Sequence, residues 1–378
     1  MKKMMMRLSS ISNTANFNYL PNSSSSFPKY NHHNNFSPTK LVFSAKSIPG
    51  GCRSFSMAGV SAAYSNNGNG THDSDYKGGV SFLRSVLGSM EAVYLNRNPT
   101  AKAILELVHS TDNDHICYDH IAFRTFGVNG HGIDALAKFF LDFGYSQRDE
   151  LCFPAKKLKA FWFSPPSLPI PEGGSGINGP LPRVFISELL VDQMSSQAQD
   201  IIRKYTNISD RACNHAALAS ALGSLTWEKP LHSEFQRLAR ESEYAAWTLV
   251  NGYALNHVTI SVHRLTSQLK NIESFNRFIE ENSFKLNSEG GVLKVSPDGL
   301  LLQSSTVADS FSFEFSDGVT DSVPCSYIEF AERTVLPQYK DMPEKEIKEY
   351  HRREGFEVGN ADKIFESTSM DQLTRRTG

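Results

Sequence analysis

The sequence predicts an α+β fold of two βαβββ modules around a shared site, with helical N-terminal and inserted segments. Three observations carry that expectation. Stretches rich in β-branched and aromatic residues alternate with stretches of helical spacing, the order strand, helix, strands occurs twice, and each occurrence opens with an acid or amide followed by His, at Asp119-His120 and Asn256-His257. A chain of 378 residues, 40% hydrophobic and 21% charged, can bury a sizeable core. Its 38 Lys and Arg against 40 Asp and Glu argue against a nucleic-acid partner, and no apolar run approaches the roughly 20 residues a membrane span needs.

Residues 1–72 read as a leader. Their basic residues, Lys2, Lys3, Arg7, Lys29, Lys40, Lys46 and Arg53, meet no acid before Asp73, and Ser and Asn crowd the stretch around Ser23 to Ser26. Without the continuous apolar core of a secretory signal, this composition predicts an organelle transit peptide, and few Arg among many Ser favour the plastid. An ordinary disordered N-terminus is the alternative. Beyond it one domain is expected over 78–368: module one at about 115–192, a helical insertion at about 193–252, module two at about 253–335 and a C-terminal cover at about 336–368. Residues 369–378 are expected to be a disordered tail.

Each element follows from its residues. Val80, Phe82, Leu83, Val86, Leu87 and Met90 fall at helical spacing, and Ala101–Val108 predicts a second helix. Tyr118–Phe126 is a strand closed by Gly127 and the Asn129-Gly130 turn, and Ile133–Phe143 a helix stopped by Gly144. Strands follow near 147–151, 159–163 and 183–190. In the second module Asn256–His263 is the opening strand, Ser267–Glu281 the helix, and 292–295, 300–304, 310–315 and 325–332 the strands. The Gly-rich stretch Pro171–Pro180 lacks a Gly-Lys-Ser/Thr ending and reads as a solvated loop. Cys52, Cys117, Cys152, Cys213 and Cys325 form no C-x-x-C pair, which predicts buried thiols in a reducing compartment.

Alternation puts His120, Ala122 and Arg124 on one strand face, and His257, Thr259, Ser261 and His263 on another. Tyr327, Glu329 and Ala331 share a face of the last strand. If the modules pair face to face, two imidazoles and one carboxylate converge, the donor set of the facial triad of non-haem Fe(II) enzymes. A hydrogen-bonded structural His is the alternative for each imidazole. Arg124 offers a planar fork for a carboxylate, or a structural ion pair with Asp119 or Glu188. Glu188 stands in module one roughly where Glu329 stands in module two, which makes it a runner-up fourth ligand or supporting group. His263 is expected nearer the rim, and His131, His32 and His33 are expected to be exposed.

The segments Asp119-His-Ile-Ala-Phe-Arg-Thr125, Asn256-His-Val-Thr-Ile260 and Tyr327-Ile-Glu-Phe-Ala-Glu-Arg333 resemble the 2-oxoadipate dioxygenase/decarboxylase (2-hydroxyglutarate synthase) family, and the leader resembles its plant plastid branch. The resemblance runs from about Val80 to about Thr368. It implies a vicinal-oxygen-chelate fold, Fe(II) held by His120, His257 and Glu329, and a substrate carboxylate held by Arg124. It also implies substrate contacts from Gly355–Asp362, with Val358 as the contacting residue; Glu188, His263 and Tyr327 are expected from their strand positions in supporting places. The implied reaction takes 2-oxoadipate and O2 to (R)-2-hydroxyglutarate and CO2 in lysine breakdown, in the stroma of a chloroplast or amyloplast. The partners are then a small 2-oxo dicarboxylic acid and O2, without nucleic acid or membrane. An extradiol-type dioxygenase or isomerase of the same fold, and a non-enzymatic plastid protein acting on starch, are the alternatives.

Overall fold

The computed structural model describes residues 72–112, 116–128, 130–167, 174–207 and 213–374. The leader up to residue 71, with His32, His33 and Cys52, lies outside the described residues, as do Asn129, 171–173 of the Gly-rich stretch and the last four residues of the expected tail. Two helices come first, α1 (His72–Arg97) and α2 (Pro99–Asp112). Leu83, Leu87, Met90 and Tyr94 of α1 are buried at helical spacing. No helix among the described residues is long and apolar enough to cross a membrane.

Module one runs β1 (Tyr118–Phe126), α3 (Ile133–Asp142), β2 (Ser146–Phe153), β3 (Leu158–Ser164) and β4 (Arg183–Leu189). Four helices follow: α4 (Ser196–Thr206), α5 (Cys213–Ala221), α6 (His232–Glu241) and α7 (Glu243–Asn251). Module two runs β5 (His257–Ser261), α8 (Ile272–Glu281), β6 (Lys294–Val295), β7 (Leu301–Ser305), β8 (Ser310–Glu314), β9 (Thr320–Pro324) and β10 (Tyr327–Arg333). The chain then crosses the sheet with α9 (Val358–Ile364) and α10 (Met370–Thr374).

Eight strands form one sheet in the order β2-β3-β4-β1-β5-β10-β7-β6. Its two halves repeat one another outward from the centre, β1-β4-β3-β2 and β5-β10-β7-β6, and the two opening strands pair antiparallel in the middle. One face of the sheet lies under the module helices, with Phe123 against Phe140 of α3 and Phe330 against Phe275 of α8 at ring separations of 5.8 and 4.7 Å. Burial of these aromatic faces is the main favourable term holding helix to sheet.

Module two departs from its sequence reading in three places. The opening strand stops at Ser261, because Val262–Arg264 closes into a 3-10 turn. The expected helix over 267–281 is split: Ser267 caps a 3-10 turn at Gln268–Lys270, and the Asn271 side chain accepts from the N–H groups of Glu273 and Ser274 to start α8 afresh. Finally β8 leaves the main sheet and pairs only with β9. Its alternation reports a strand but not the neighbour it chooses. Among the cysteines, Cys325 is buried and Cys117 and Cys152 are half-buried.

Candidate metal centre

Strand register brings the two His strands to one place. The ladder sets His120, Thr259 and Glu329 in one row across β1, β5 and β10, and Ala122, His257 and Tyr327 in the next. Neighbouring strands lie about 4.8 Å apart, so His120 and Glu329 stand two strands apart with only the short Thr259 between them. His257 Nε2 is 3.1 Å from Glu329 Oε2 and 3.3 Å from His120 Nε2, and the third edge, His120 Nε2 to Glu329 Oε2, is 3.6 Å. These three donors, all buried and within 4.8 Å of one another, can hold a metal ion. Edges of this length leave room for one ion at about 2.1 Å from all three donors.

The residue before each His sets its ring. His120 Nδ1–H donates to Asp119 Oδ1 at 2.8 Å, and His257 Nδ1–H to Asn256 Oδ1 at 3.1 Å. With Nδ1 so occupied, each ring turns its Nε2 lone pair into the site. Alternation alone sends Asp119 away from His120, but a register shift between Tyr118 and His120 interrupts the ladder there. Asn256 lies before its strand begins, so alternation does not bind it. The Asp/Asn-His repeat was the available signal for both residues.

Asp119 is itself held by two Arg. Arg333 reaches it through Nε at 2.6 Å and Nη2 at 2.9 Å, and Arg183 Nη1 lies 3.4 Å away. Burial works to raise the Asp119 pKa, but Arg333 and Arg183 hold it well below the usual carboxylate range. Glu329 behaves alike: burial pushes it up, and His120 and His257 draw it down to about 2. Burial lowers the His257 value, a shift towards the neutral imidazole that a metal requires. Burial also works to lower His120, but Glu329 and Asp119 outweigh it and raise the value.

Arg124 lies one row further along β1, beside Tyr327. It is buried, and neither Asp119 nor Glu188 partners it. Its guanidinium sits 5.1 Å from the ring centres of both Tyr244 and Trp247, donating through Nη1 to Thr368 Oγ1 at 3.0 Å and through Nη2 to the Phe365 carbonyl at 3.3 Å. Arg124 and Tyr327 lie against each other, and Arg124 Nε and Tyr327 Oη are buried without a hydrogen bond of good geometry. Two such groups side by side are costly unless a ligand completes them.

The C-terminal segment roofs the site. A left-handed backbone at Gly355, φ 78°, turns the chain so that Phe356 stands edge-on to His120 at 4.8 Å, while Phe365 packs on Phe153 at 5.1 Å. Beneath them is a cavity of about 20 Å³ lined by the triad, Phe185, Gln303, Tyr327, Phe356, Ala361, Ile364 and Phe365. That is room for a single water by the ~10–15 Å³ criterion, so any larger ligand requires this cover to shift.

The other expected site residues lie elsewhere. Glu188 is on the opposite sheet face, where its Oε2 accepts from Ile133 N–H at the start of α3 at 2.8 Å and its Oε1 meets Lys159 Nζ at 2.9 Å. A Cβ at position 132 would meet that carboxylate at 2.0 Å, so Gly132 is what admits it. His263 is beyond the end of β5, against Glu349 at 3.2 Å and the Arg333 N–H at 3.1 Å. Val358 opens α9 half-exposed and does not line the cavity. His131, expected at the surface, is buried. Sequence reading passed over Gln303 of β7, whose amide donates to Glu329 Oε1 at 2.6 Å, and nothing in Leu301–Ser305 marks it out.

Comparison with known proteins gives these observations a family. Residues 86–348 match the model of the 2-oxoadipate dioxygenase/decarboxylase family. The chain is 73% identical over 298 residues to a chloroplastic 2-oxoadipate dioxygenase/decarboxylase of Arabidopsis thaliana, covering 79% of this chain and 80% of that one. It is similar to the crystal structure of a hydroxyglutarate synthase of Oryza sativa in complex with 2-oxoadipate, with 66% identity, a TM-score of 0.77, and coverage of 84% of this chain and all of the other. A glyoxalase-superfamily protein of Ralstonia eutropha JMP134, 19% identical with a TM-score of 0.55 over 73% of this chain and 86% of its own, shares the fold.

Proposed function

The chain belongs to the 2-oxoadipate dioxygenase/decarboxylase family, and from that membership we propose that it converts 2-oxoadipate and O2 to (R)-2-hydroxyglutarate and CO2. It is an enzyme of this kind, acting on a small 2-oxo dicarboxylic acid. The reaction balances without a second co-substrate, since CO2 leaves with the two oxygens of the substrate's own carboxylate and both atoms of O2 enter the hydroxy acid, one in its new carboxylate and one in its hydroxyl. Its place in metabolism is lysine breakdown, and residues 1–72 serve as the leader that takes it into the plastid, in keeping with the chloroplastic Arabidopsis relative.

His120, His257 and Glu329 are the residues that would hold the metal, and Fe(II) is the ion we assign. Bound there, Fe(II) would supply a Lewis-acidic, redox-active centre for chemistry between a 2-oxo acid and O2. The protein's own part is positioning. Arg124 Nε and Tyr327 Oη, buried side by side, face the distal carboxylate, and completing their hydrogen bonds fixes the length of the acid and the carbon presented for hydroxylation. Phe356 and Phe365 exclude bulk water, which strengthens the ionic contacts inside. Asp119 and Asn256 keep both imidazoles turned to the metal.

The convergence of three buried donors on one point, beside an arginine with an unpaired N–H, carries this reading. The test is O2 uptake by the full chain, loaded anaerobically with Fe(II) and given 2-oxoadipate, with 2-hydroxyglutarate assayed chirally at the end. Uptake matched by product is the expected result. No uptake with iron verifiably bound would overturn the substrate assignment.

A further inference from the structure

Glu329 has two carboxylate oxygens, and the structure engages them differently. Oε2 faces the imidazoles, at 3.1 Å from His257. Oε1 turns away and accepts from Gln303 Nε2 at 2.6 Å. Gln303 Oε1 accepts in turn from Asn360 Nδ2 at 3.0 Å, and Asn360 belongs to α9, the helix that roofs the cavity. All three residues are buried, and the same Asn360 amide also reaches the Leu301 carbonyl at 3.3 Å. A continuous line of hydrogen bonds therefore runs from the cover through β7 to the metal-facing carboxylate.

We propose that Gln303 is a positioning residue that restricts Glu329 to ligation through one oxygen and makes that geometry depend on closure of the cover through Asn360. The proposal rests on the metal reading of the triad. With Oε1 held by the amide, the carboxylate cannot swing to grip the ion with both oxygens, and the position this leaves open is one that substrate and O2 require. When α9 lifts to admit substrate, Gln303 loses the contact that orients its amide, so Glu329 gains freedom while the site is open and is locked again when it shuts.

The experiment uses Co(II), titrated anaerobically into the full chain and followed by its visible absorption, with hydrogen exchange of residues 356–368 measured in the same samples. In the wild type we expect stoichiometric binding, and exchange in the cover slowed by the metal. Gln303→Met, close in volume and without the amide, should weaken Co(II) by about 10–100-fold, the range for loss of a group supporting a ligand. It should also shift the spectrum towards higher coordination and abolish the effect of metal on cover exchange. Asn360→Ala should retain most of the affinity but lose the exchange coupling, which separates the two links and serves if Gln303→Met does not fold. Variants with wild-type affinity, spectrum and coupling would overturn the role of Gln303 while leaving the metal reading intact. A wild type that binds no Co(II) would overturn both.

Discussion

Glu188 and Glu332 occupy the same place in the two modules: each accepts from the first backbone N–H of its module's helix, Ile133 for Glu188 at 2.8 Å and Ile272 for Glu332 at 2.7 Å. A carboxylate there meets the positive end of the helix dipole and satisfies a donor that has no partner within the helix. The equivalence fixes the rest of the register. Three residues before Glu332 is Glu329, and three before Glu188 is Phe185, so the site's fourth symmetric place is filled by a ring that lines the cavity. Phe185→His should add a donor where the native site keeps room for substrate. Metal should stay bound while turnover falls below detection, checked by Co(II) titration beside O2 uptake. Undiminished turnover would show that position 185 does not face the metal.

Substitution of Arg124 is expected to separate substrate binding from metal binding. Arg124→Lys keeps the charge but loses the fork and the second and third N–H directions. The loss of a charge-assisted hydrogen bond, about 1.5–3 kcal/mol, predicts a KM for 2-oxoadipate raised by roughly ten- to a hundredfold, with Co(II) affinity unchanged. Steady-state kinetics and a metal titration on one preparation decide it. A variant that loses metal would place Arg124 in the structural support of the triad instead.

How much of this was legible beforehand depended on how far each interaction reaches along the chain. The strands carrying His120, His257 and Glu329 announced themselves by alternation, and the repeated Asp/Asn-His start pointed to their pairing. Glu188 misled because its separation from the module's first His resembles that of Glu329. One face or the other is decided by an odd or even offset in the ladder, which only pairing reveals. Gln303 and Asn360 were illegible for a different reason. Each is an ordinary amide in its own segment, and its meaning comes from a partner 26 residues away for Gln303 and 57 away for Asn360.

Asp119 is the point where site and fold are fastened together. It fixes His120, and it is the buried counter-charge for Arg333 and Arg183. Asp119→Ala leaves Arg333 buried with its main counter-charge gone, a loss of about 3–5 kcal/mol, and frees the His120 ring, which should weaken metal by about 10–100-fold. Denaturant midpoints of the metal-free protein and a Co(II) titration measure the two effects separately. Asn256→Ala should show the second effect with much less of the first, since no buried charge is stranded.

The pH dependence of stability gives a test that needs no metal. Glu349 lies against His263 at 3.2 Å and Arg183 at 3.4 Å. Burial works to raise its pKa, but His263, Arg183 and Arg264 draw it from an ordinary 4.5 down to about 2. Between those values the unfolded chain binds a proton at Glu349 that the folded chain does not. The stabilisation is therefore fully present above about pH 4.5 and is lost as the pH falls towards 2. Glu349→Gln should unfold more easily than wild type at pH 7, with the gap closing across that acid window, as read from denaturant midpoints at several pH values. A constant gap down to pH 2 would mean that the contribution of Glu349 is packing rather than charge.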